Sequence, residues 1–212
     1  MTTLLDVFAT PRNAKSRTQK LRKAFLAGYA EAHPGFVHLE LDLSAEHATL
    51  PAFDEWDIEA KFAVMYGEGK LDEVTAARWD RLTQLTDQLH AADALLITAP
   101  MWNFGVPWML KRWIDCVVQG RLTFEFVNGA FNGLLKGKRA IILTTRDGAY
   151  GPATPYASMD FMVPYLRNIL GLIGYSPIDA VIAEPMVMGG PEVGAAALEK
   201  GIMEAGALGR AS

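Results

Sequence analysis

The run Ala94-Leu95-Leu96-Ile97-Thr98-Ala99 decides the class of fold, because it is continuously apolar until it reaches Thr98. The run Ala140-Ile141-Ile142-Leu143, further along the chain, has the same character. A strand with one face in water alternates apolar and polar residues, whereas a continuous apolar run is typical of a strand buried on both faces. Both runs therefore predict central strands of a parallel sheet that is covered on both sides.

Further short apolar runs and intervening helical patterns extend this organisation over the whole chain. The predicted strands are Leu4–Phe8, Phe36–Leu41, Ala94–Ala99, Arg139–Thr145 and Ile178–Ala183. The predicted helices are about Ser16–Ala32, Thr75–Ala91, Val106–Val118, Tyr156–Gly171 and Pro191–Leu208. Strands that alternate with helices indicate an α/β fold, and five of each favour a flavodoxin-like, three-layer, doubly wound arrangement with a five-stranded parallel sheet. We expect residues 1–212 to form a single domain of this kind.

Composition and charge exclude several classes of protein. The 24 acidic residues outnumber the 20 basic ones, and a net charge of −4 argues against general nucleic-acid binding. The single cysteine, Cys116, excludes an internal disulfide framework and a cysteine-cluster metal site, and the four histidines show no metal spacing. No apolar run approaches the roughly 20 residues of a membrane-spanning helix, and the first residues lack the features of a secretory signal. We therefore expect a cytoplasmic protein with no bound metal and no membrane contact.

The connection between the second predicted strand and the second predicted helix, residues 44–74, is unusually long. It contains Trp56, Phe62 and Tyr66, and residues 40–80 hold 11 acidic but only 3 basic side chains. Long connections in compact domains tend to be functional lids, binding loops or disordered segments, and the aromatic residues argue against disorder. Two interpretations remain open, a lid over a binding site and a helical excursion that is packed by its own aromatic residues.

The loops that follow the first, third and fourth predicted strands are the places to look for a ligand, because open α/β sheets bind ligands beyond the carboxyl ends of their strands. The first loop holds the hydroxyls of Thr10, Ser16 and Thr18, and no acidic residue occurs between Val7 and Ala30. A helix N-terminus in such surroundings suits a phosphate, although an ordinary helix cap followed by a solvated basic face explains the same residues. The absence of GxGxxG and of a P-loop motif argues against a dinucleotide cradle or a nucleotide-hydrolysing site.

The second and third loops have compositions suited to a flat ligand. Met101, Trp102 and Phe104 follow the third strand and could cover the face of a ring, or could equally pack into the core as part of a turn. Residues 144–152 follow the fourth strand and contain two glycines, which permit close backbone approach but also occur in simple turns. All three loops fall on the edge of the sheet where ligands bind, and this coincidence favours one shared site.

The segment Ala99-Pro100-Met101-Trp102-Asn103-Phe104 resembles the A-P-M-[YW]-N-F segment of FMN-dependent NAD(P)H azoreductases, which belong to the flavodoxin-like quinone reductases. The resemblance covers essentially the whole chain and is weakest over residues 44–74. It continues through Pro107, 110–111, 113–115, 122–124, 133–138, 165–166 and 170–174. It implies bound FMN, with NADH or NADPH as cosubstrate.

The resemblance also implies which residues contact the cofactor and the substrate. Those implied for the FMN phosphate are Thr10, Ser16, Arg17 and Thr18. Those implied for the isoalloxazine ring are Met101, Trp102, Asn103, Phe104, Thr145, Arg146, Asp147 and Gly148. A flat acceptor is expected against Phe104, Trp102 and Tyr150. Two residues depart from the family pattern: Ala9 stands where a second hydroxyl is frequent, and Asp147 where glycine is usual. We expect the backbone of Asp147 to face the ring and its carboxylate to face outward.

The resemblance implies a ping-pong reaction in a homodimer. NAD(P)H passes a hydride to flavin N5 and leaves, and a quinone or azo compound then enters the same site, the azo bond being cleaved to amines. Because the flavin carries the chemistry, no catalytic side chain is expected. Apolar Trp108, Met109 and Trp113 on the third predicted helix are compatible with a partner surface and equally with burial under the neighbouring loop. The alternative is an electron-transfer protein of the flavodoxin type that acts on a protein partner.

Two further local predictions concern small residues. Cys116, between apolar neighbours, is expected to be a buried small hydrophobe and not a redox thiol. Gly201, Gly206 and Gly209 predict a last helix that frays and carries no site.

Overall fold

The computed structural model describes residues 1–67 and 72–212, in which five parallel strands form a central sheet. The sheet strands are β1 (Thr3–Phe8), β2 (Val37–Asp42), β3 (Ala94–Thr98), β6 (Arg139–Thr145) and β7 (Ile178–Ala183). A separate antiparallel hairpin consists of β4 (Phe124–Val127) and β5 (Ala130–Gly133). The helices are α1 (Arg17–Ala32), α2 (Leu43–Glu46), α3 (Glu55–Tyr66), α4 (Glu73–Ala91), α5 (Trp108–Val117), α6 (Val163–Ile173) and α7 (Pro191–Ala211).

The sheet has the strand order β2-β1-β3-β6-β7, and every neighbouring pair is parallel. The two apolar runs lie at its centre, where every residue of β3 and all but the first of β6 are buried. Side chains of α1 and α7 pack on one face, and those of α4, α5 and α6 pack on the other. The predicted α/β, flavodoxin-like, doubly wound architecture is therefore confirmed.

The backbone ladder of the sheet continues into the loops at the carboxyl ends of its strands. The amide of Ala9 donates to the carbonyl of Thr98 over 2.9 Å, and the amide of Met101 donates to the carbonyl of Thr145 over 3.1 Å. Because adjacent loops are tied together in this way, the segments after β1, β3 and β6 lie side by side. The topology thus brings the three predicted loops to one edge.

Outside residues 44–74, one helix and one hairpin differ from the sequence prediction. The helix predicted from Tyr156 begins only at Val163, because Pro164 suits a first helical turn and Asp160 Oδ1 accepts from the amide of Val163 over 3.1 Å. The hairpin of β4 and β5 was not predicted. Its turn is Asn128-Gly129, with φ of 53° and 81°, and this pair is a strong hairpin signal.

Residues 44–74 form α2, a short 3₁₀ turn, α3 and the start of α4, and residues 68–71 of this connection lie outside the described residues. Arg112 of α5 donates to the carbonyl of Pro51 over 3.0 Å, which fastens the segment to the body of the protein. Trp56, Phe62 and Tyr66 are exposed, although the rings of Phe62 and Tyr66 lie 5.3 Å apart. These three aromatic side chains therefore contribute little buried surface to the packing of the segment.

The glycines of α7 form a close helix contact, so the prediction of a frayed last helix is wrong. α7 extends to Ala211, and it packs against α1. A Cβ atom on Gly209 would lie 2.2 Å from the carbonyl oxygen of Phe25, and one on Gly28 would lie 2.3 Å from that of Gly206. The missing side chains allow the two helix backbones to touch.

Most of the apolar surface of helix α5 is buried within the protein. Met109 and Trp113 lie in the core, and only Trp108 remains half exposed, its ring 4.8 Å from that of His47. Cys116 is buried as predicted, and its burial raises the pKa of the thiol to about 12. Among residues 1–67 and 72–212, no helix combines the length and the apolar character that a membrane crossing requires.

Candidate functional site

Two adjoining clefts lie at the carboxyl edge of the sheet. The first, of about 230 Å³, is lined by Thr10, Pro11, Arg12, Ser16, Arg17, Thr18, Pro100, Met101, Trp102, Thr145, Asp147 and Met186. The second, of about 210 Å³, is lined by Met101, Asn103, Phe104, Asp147 and Tyr150. The two share Met101 and Asp147, so together they form one elongated groove of the size that small-molecule sites have.

The first cleft is built at the N-terminus of α1 and offers hydroxyls and a positive charge. Ser16 caps the helix, its Oγ accepting from the amide of Gln19 over 3.4 Å. Thr10, Ser16 and Thr18 are all buried, and the first turn of α1 contains no acidic residue. Because the first amides of a helix lack partners within it, this end of the groove suits an anion.

The hydroxyl of Thr18 links α1 to the sheet. Its Oγ1 lies 2.7 Å from Oγ1 of Thr145, which ends β6, and both groups are buried. The guanidinium of Arg17 stands at the rim of the cleft, where Nη1 donates to the carbonyl of Met186 over 3.1 Å and is 3.9 Å from Oδ1 of Asp147. The cation thus stays close to the cleft without being buried.

The second cleft is shaped by a strained turn after β3. Asn103 and Phe104 have φ values of 46° and 68°, and Trp102 and Gly105 exchange two backbone hydrogen bonds of 3.0 and 2.9 Å. A bulky residue at positive φ is an outlier that costs free energy and is typical of functional sites. The turn places Trp102 and Phe104 at the rim, and the ring of Phe104 meets that of Tyr150 edge to face, with centroids 5.9 Å apart.

The structure does not bring Arg146 into either cleft. Its side chain is 1% exposed, with Nη2 2.8 Å from Oδ2 of Asp160 and Nη1 3.4 Å from Oε2 of Glu184. These ion pairs hold the loop after β6 against the segments before α6 and after β7. The guanidinium therefore positions the loop, and its own charge is committed to two carboxylates.

Asp147 and Gly148 occupy different places in the same loop. The Asp147 carboxylate is 81% exposed, while its carbonyl accepts from the amides of Val187 and Met188 over 3.0 and 2.9 Å. Gly148 lines neither cleft. A Cβ atom there would lie 2.7 Å from the Tyr150 hydroxyl and 2.8 Å from the Met188 sulfur. A larger residue at this position would displace the ends of these two side chains.

Sequence reasoning missed the loop after β7. Met186 lines the first cleft, and its amide donates to the carbonyl of Arg146 over 2.8 Å. The available signal was topological, because β7 pairs with β6 and its carboxyl end must reach the same edge. Pro11, Arg12 and Pro100 also line the cleft without having been selected, although each lies within a loop that was.

The described residues of segment 44–74 lie away from the two clefts. Among the described residues of 44–74, none lines either cleft. The segment is held instead against α5, where Arg112 contacts the carbonyls of Leu50 and Pro51, and against α4, where Arg78 Nη1 lies 2.9 Å from Oδ1 of Asp57. The described residues of this segment thus do not contribute to the groove of their own chain, and the lid interpretation stays a prediction.

A flavodoxin-type fold with a groove at its carboxyl edge defines the class of this protein, and comparison with known proteins agrees. Residues 2–208 match the family described as having a Flavodoxin-like fold, so the chain belongs to that family. It is 35% identical over 206 residues, 97% of each chain, to the FMN-dependent NADH:quinone oxidoreductase of Nitratidesulfovibrio vulgaris (strain DP4). The FMN-dependent NAD(P)H:quinone oxidoreductase 1 of Pseudomonas aeruginosa is 37% identical over 195 residues, 90% of each chain.

The fold is also similar to that of a solved azoreductase. The azoreductase of Bacillus anthracis str. Sterne superposes with a TM-score of 0.90 and 29% identity, over 100% of both chains. The resemblance recognised in residues 99–104 is therefore confirmed over the whole length of the chain.

Proposed function

We propose that this chain is an FMN-dependent NAD(P)H:quinone oxidoreductase that also reduces aromatic azo compounds to amines, with residues 1–212 acting as one FMN-binding domain. The observation that carries the proposal is a single groove with an anion-binding end at α1 and an aromatic end at the turn after β3. The names of the related proteins support the same reaction.

The first cleft fits the phosphate of FMN. Thr10, Ser16 and Thr18 supply hydroxyls, the amides of the first turn of α1 supply further donors, and Arg17 supplies a nearby positive charge. The only carboxylate lining this cleft in the described chain is that of Asp147, which is directed toward solvent. A dianion would therefore meet hydroxyl and amide donors at the α1 end of this cleft.

The second cleft fits a flat ring system. Met101, Asn103, Phe104, Asp147 and Tyr150 line it, and Trp102 stands beside it as part of the lining of the adjoining first cleft. FMN, when bound, supplies the two-electron hydride exchange between a nicotinamide and an acceptor. The residues around it hold the ring in place and stack against flat substrates.

The lining side chains support a role in positioning and not in covalent catalysis. The ionisable groups among the described lining residues are Arg12, Arg17, Asp147 and Tyr150, and neither a histidine nor a glutamate accompanies the hydroxyls. A nucleophile with an adjacent base, which acyl or phosphoryl transfer to the protein would require, is thus missing from these two linings. We propose that nicotinamide and acceptor occupy the same aromatic rim in turn, in a ping-pong sequence.

We further propose that the enzyme acts as a homodimer in the cytoplasm. Trp56, Phe62, Tyr66 and Trp108 present exposed aromatic surface on the segment after β2 and on α5. A second copy would remove this surface from water, and exposed patches of this kind are typical of interaction sites. The single buried cysteine is compatible with a reducing compartment.

One observation favours the alternative, an electron-transfer protein of the flavodoxin type. The aromatic end of the groove carries no covering segment among the described residues, so a protein partner could approach it directly. The two functions differ in their electron donor, because a nicotinamide reduces the enzyme directly whereas the carrier needs a separate reductase.

Anaerobic titration of the purified protein with NADH and with NADPH tests the proposal. We expect the flavin absorption band to bleach with one equivalent of at least one nicotinamide and to return when a benzoquinone is added. A protein that is yellow but unchanged by either nicotinamide, and that bleaches only with a reductase present, would support the alternative. A protein that takes up no FMN would contradict both.

A further inference from the structure

A chain of hydrogen bonds runs from the first cleft to the outer part of the sheet beneath α1. Gln19 Nε2 donates to Thr10 Oγ1 over 2.7 Å, and Gln19 Oε1 accepts from Arg22 Nη1 over 3.3 Å. Arg22 donates in turn through Nε to Asp6 Oδ2 over 2.8 Å, and through Nη2 to Glu40. Two carboxylates on β1 and β2 are thereby connected to one hydroxyl that lines the cleft.

The donor and acceptor groups of Arg22, Gln19 and Thr10 fix the direction of these hydrogen bonds. A guanidinium can only donate, so Gln19 must turn its carbonyl oxygen to Arg22 and its amide nitrogen to Thr10. The oxygen of Thr10 then accepts, and its proton is left to donate elsewhere. Because Thr10 lines the first cleft and finds no acceptor for that proton among residues 1–67 and 72–212, the donor is directed at whatever the cleft binds.

Arg22, the first donor in this series of hydrogen bonds, is held firmly. The Arg22 side chain is 9% exposed, and its guanidinium carbon lies 3.8 Å from the ring centroid of Phe8. Burial on its own would lower the pKa of Arg22, but hydrogen bonds and ion pairs with Asp6 and Glu40 outweigh it and raise the pKa above its usual value. His38 Nε2 adds a contact of 2.9 Å to Asp6 Oδ2. Arg22 therefore remains a charged donor, and the direction of the hydrogen bonds from Arg22 through Gln19 to Thr10 does not reverse.

We propose that Gln19 is a positioning residue that, acting through Thr10, makes the groove select a ligand with a phosphate monoester over the same ligand without one. A phosphate dianion accepts hydrogen bonds and has no proton to give, so a hydroxyl already fixed as a donor matches it. The proposal rests on the proposed function, since FMN and riboflavin share the ring system and ribityl chain and differ in that phosphate.

The test compares the dissociation constants of FMN and riboflavin for the full-length chain stripped of flavin, measured by quenching of flavin fluorescence. Gln19→Glu keeps the size of the side chain and its contact with Arg22, but the new carboxylate can only accept. The Thr10 hydroxyl must then donate to it and turn its lone pairs toward the phosphate. We expect FMN binding to weaken by about 10- to 100-fold, the loss of a hydrogen bond to a charged group, and riboflavin binding to change by less than about twofold.

A double-mutant cycle with Thr10→Val separates this effect from simple charge repulsion. In the Thr10→Val background there is no hydroxyl to reorient, so Gln19→Glu should weaken FMN binding by much less than it does beside Thr10. Repulsion between the new carboxylate and the phosphate would instead persist in that background. Gln19→Met, which has no charge and similar volume, provides the same cycle and should show a smaller loss that is also confined to FMN.

Three results would overturn the proposal. These are unchanged FMN binding in Gln19→Glu, an equal loss for FMN and riboflavin, and a loss that is undiminished in the Thr10→Val background. If Gln19→Glu does not fold, the Gln19→Met cycle decides by the same criteria. Failure of the proposed function itself is recognised separately, because the unmodified chain would then not prefer FMN to riboflavin.

Discussion

At the scale of single residues, Ser16 shows how one side chain serves both the fold and the site. Its hydroxyl caps α1, and it also lines the first cleft. The sequence permitted this prediction, because a hydroxyl residue before a helical pattern in a loop free of acidic residues is a local signal. Gln19 carried no such signal, since its role depends on Arg22. The side chain of Arg22 is oriented in turn by Glu40, which lies on strand β2. Local patterns find the cap, and only the tertiary structure finds the residue behind it.

The variant Ser16→Asp tests the anion site without removing the helix cap. Aspartate caps a helix about as well as serine, so we expect unfolding stability to stay within about 1 kcal/mol of the unmodified protein. Its charge would repel a dianion by on the order of 4 kcal/mol per unit charge at 4 Å, taking an effective dielectric constant of about 20. FMN affinity should therefore fall by at least about 100-fold, while riboflavin affinity changes little.

The matched control is Ser16→Asn, which caps equally well and carries no charge. Equilibrium dialysis with each flavin should show FMN binding within a few-fold of the unmodified protein for this variant. Equal behaviour of the aspartate and asparagine variants toward FMN would show that the phosphate does not lie at Ser16.

At the scale of elements, the central strands were predictable and the helix ends and contacts were less so. β3 and β6 can be recognised in the sequence because burial on both faces requires continuous apolar residues. The start of α6 depends on Asp160 and Pro164, whose signals oppose the apolar pattern that begins at Tyr156. The glycines of α7 were misread because helix propensity considers one helix alone, whereas their value here is in the contact with α1.

The α1–α7 contact predicts opposite effects for two glycines on one helix. Gly209→Ala places a methyl group 2.2 Å from the Phe25 carbonyl oxygen, so we expect the free energy of unfolding to fall by about 1–3 kcal/mol, a typical cost of overpacking. At Gly206 the nearest atom to an added Cβ is 3.6 Å away, so Gly206→Ala should raise stability by up to about 1 kcal/mol through helix propensity. Urea unfolding followed by circular dichroism measures both, and a destabilising Gly206→Ala or a neutral Gly209→Ala would contradict this packing.

At the scale of the whole molecule, the strand order explains why distant segments build one groove. Loops separated by more than a hundred positions, at Thr10 and at Asp147, meet because β1, β3 and β6 are neighbours with parallel directions. That rule was available from the sequence, and it located most of the groove. It could not place residues 44–74, because the segment after the edge strand β2 is positioned by side-chain contacts with α4 and α5.

The crystal structure of the protein grown with FMN tests the central claim most directly. We expect the phosphate within hydrogen-bonding distance of the Ser16 and Thr10 hydroxyls and the backbone amides that begin α1, with the ring against residues 101–104 and Asp147. Flavin bound elsewhere on the surface, or bound in this groove with its phosphate at the Phe104 end, would contradict the assignment of the two clefts.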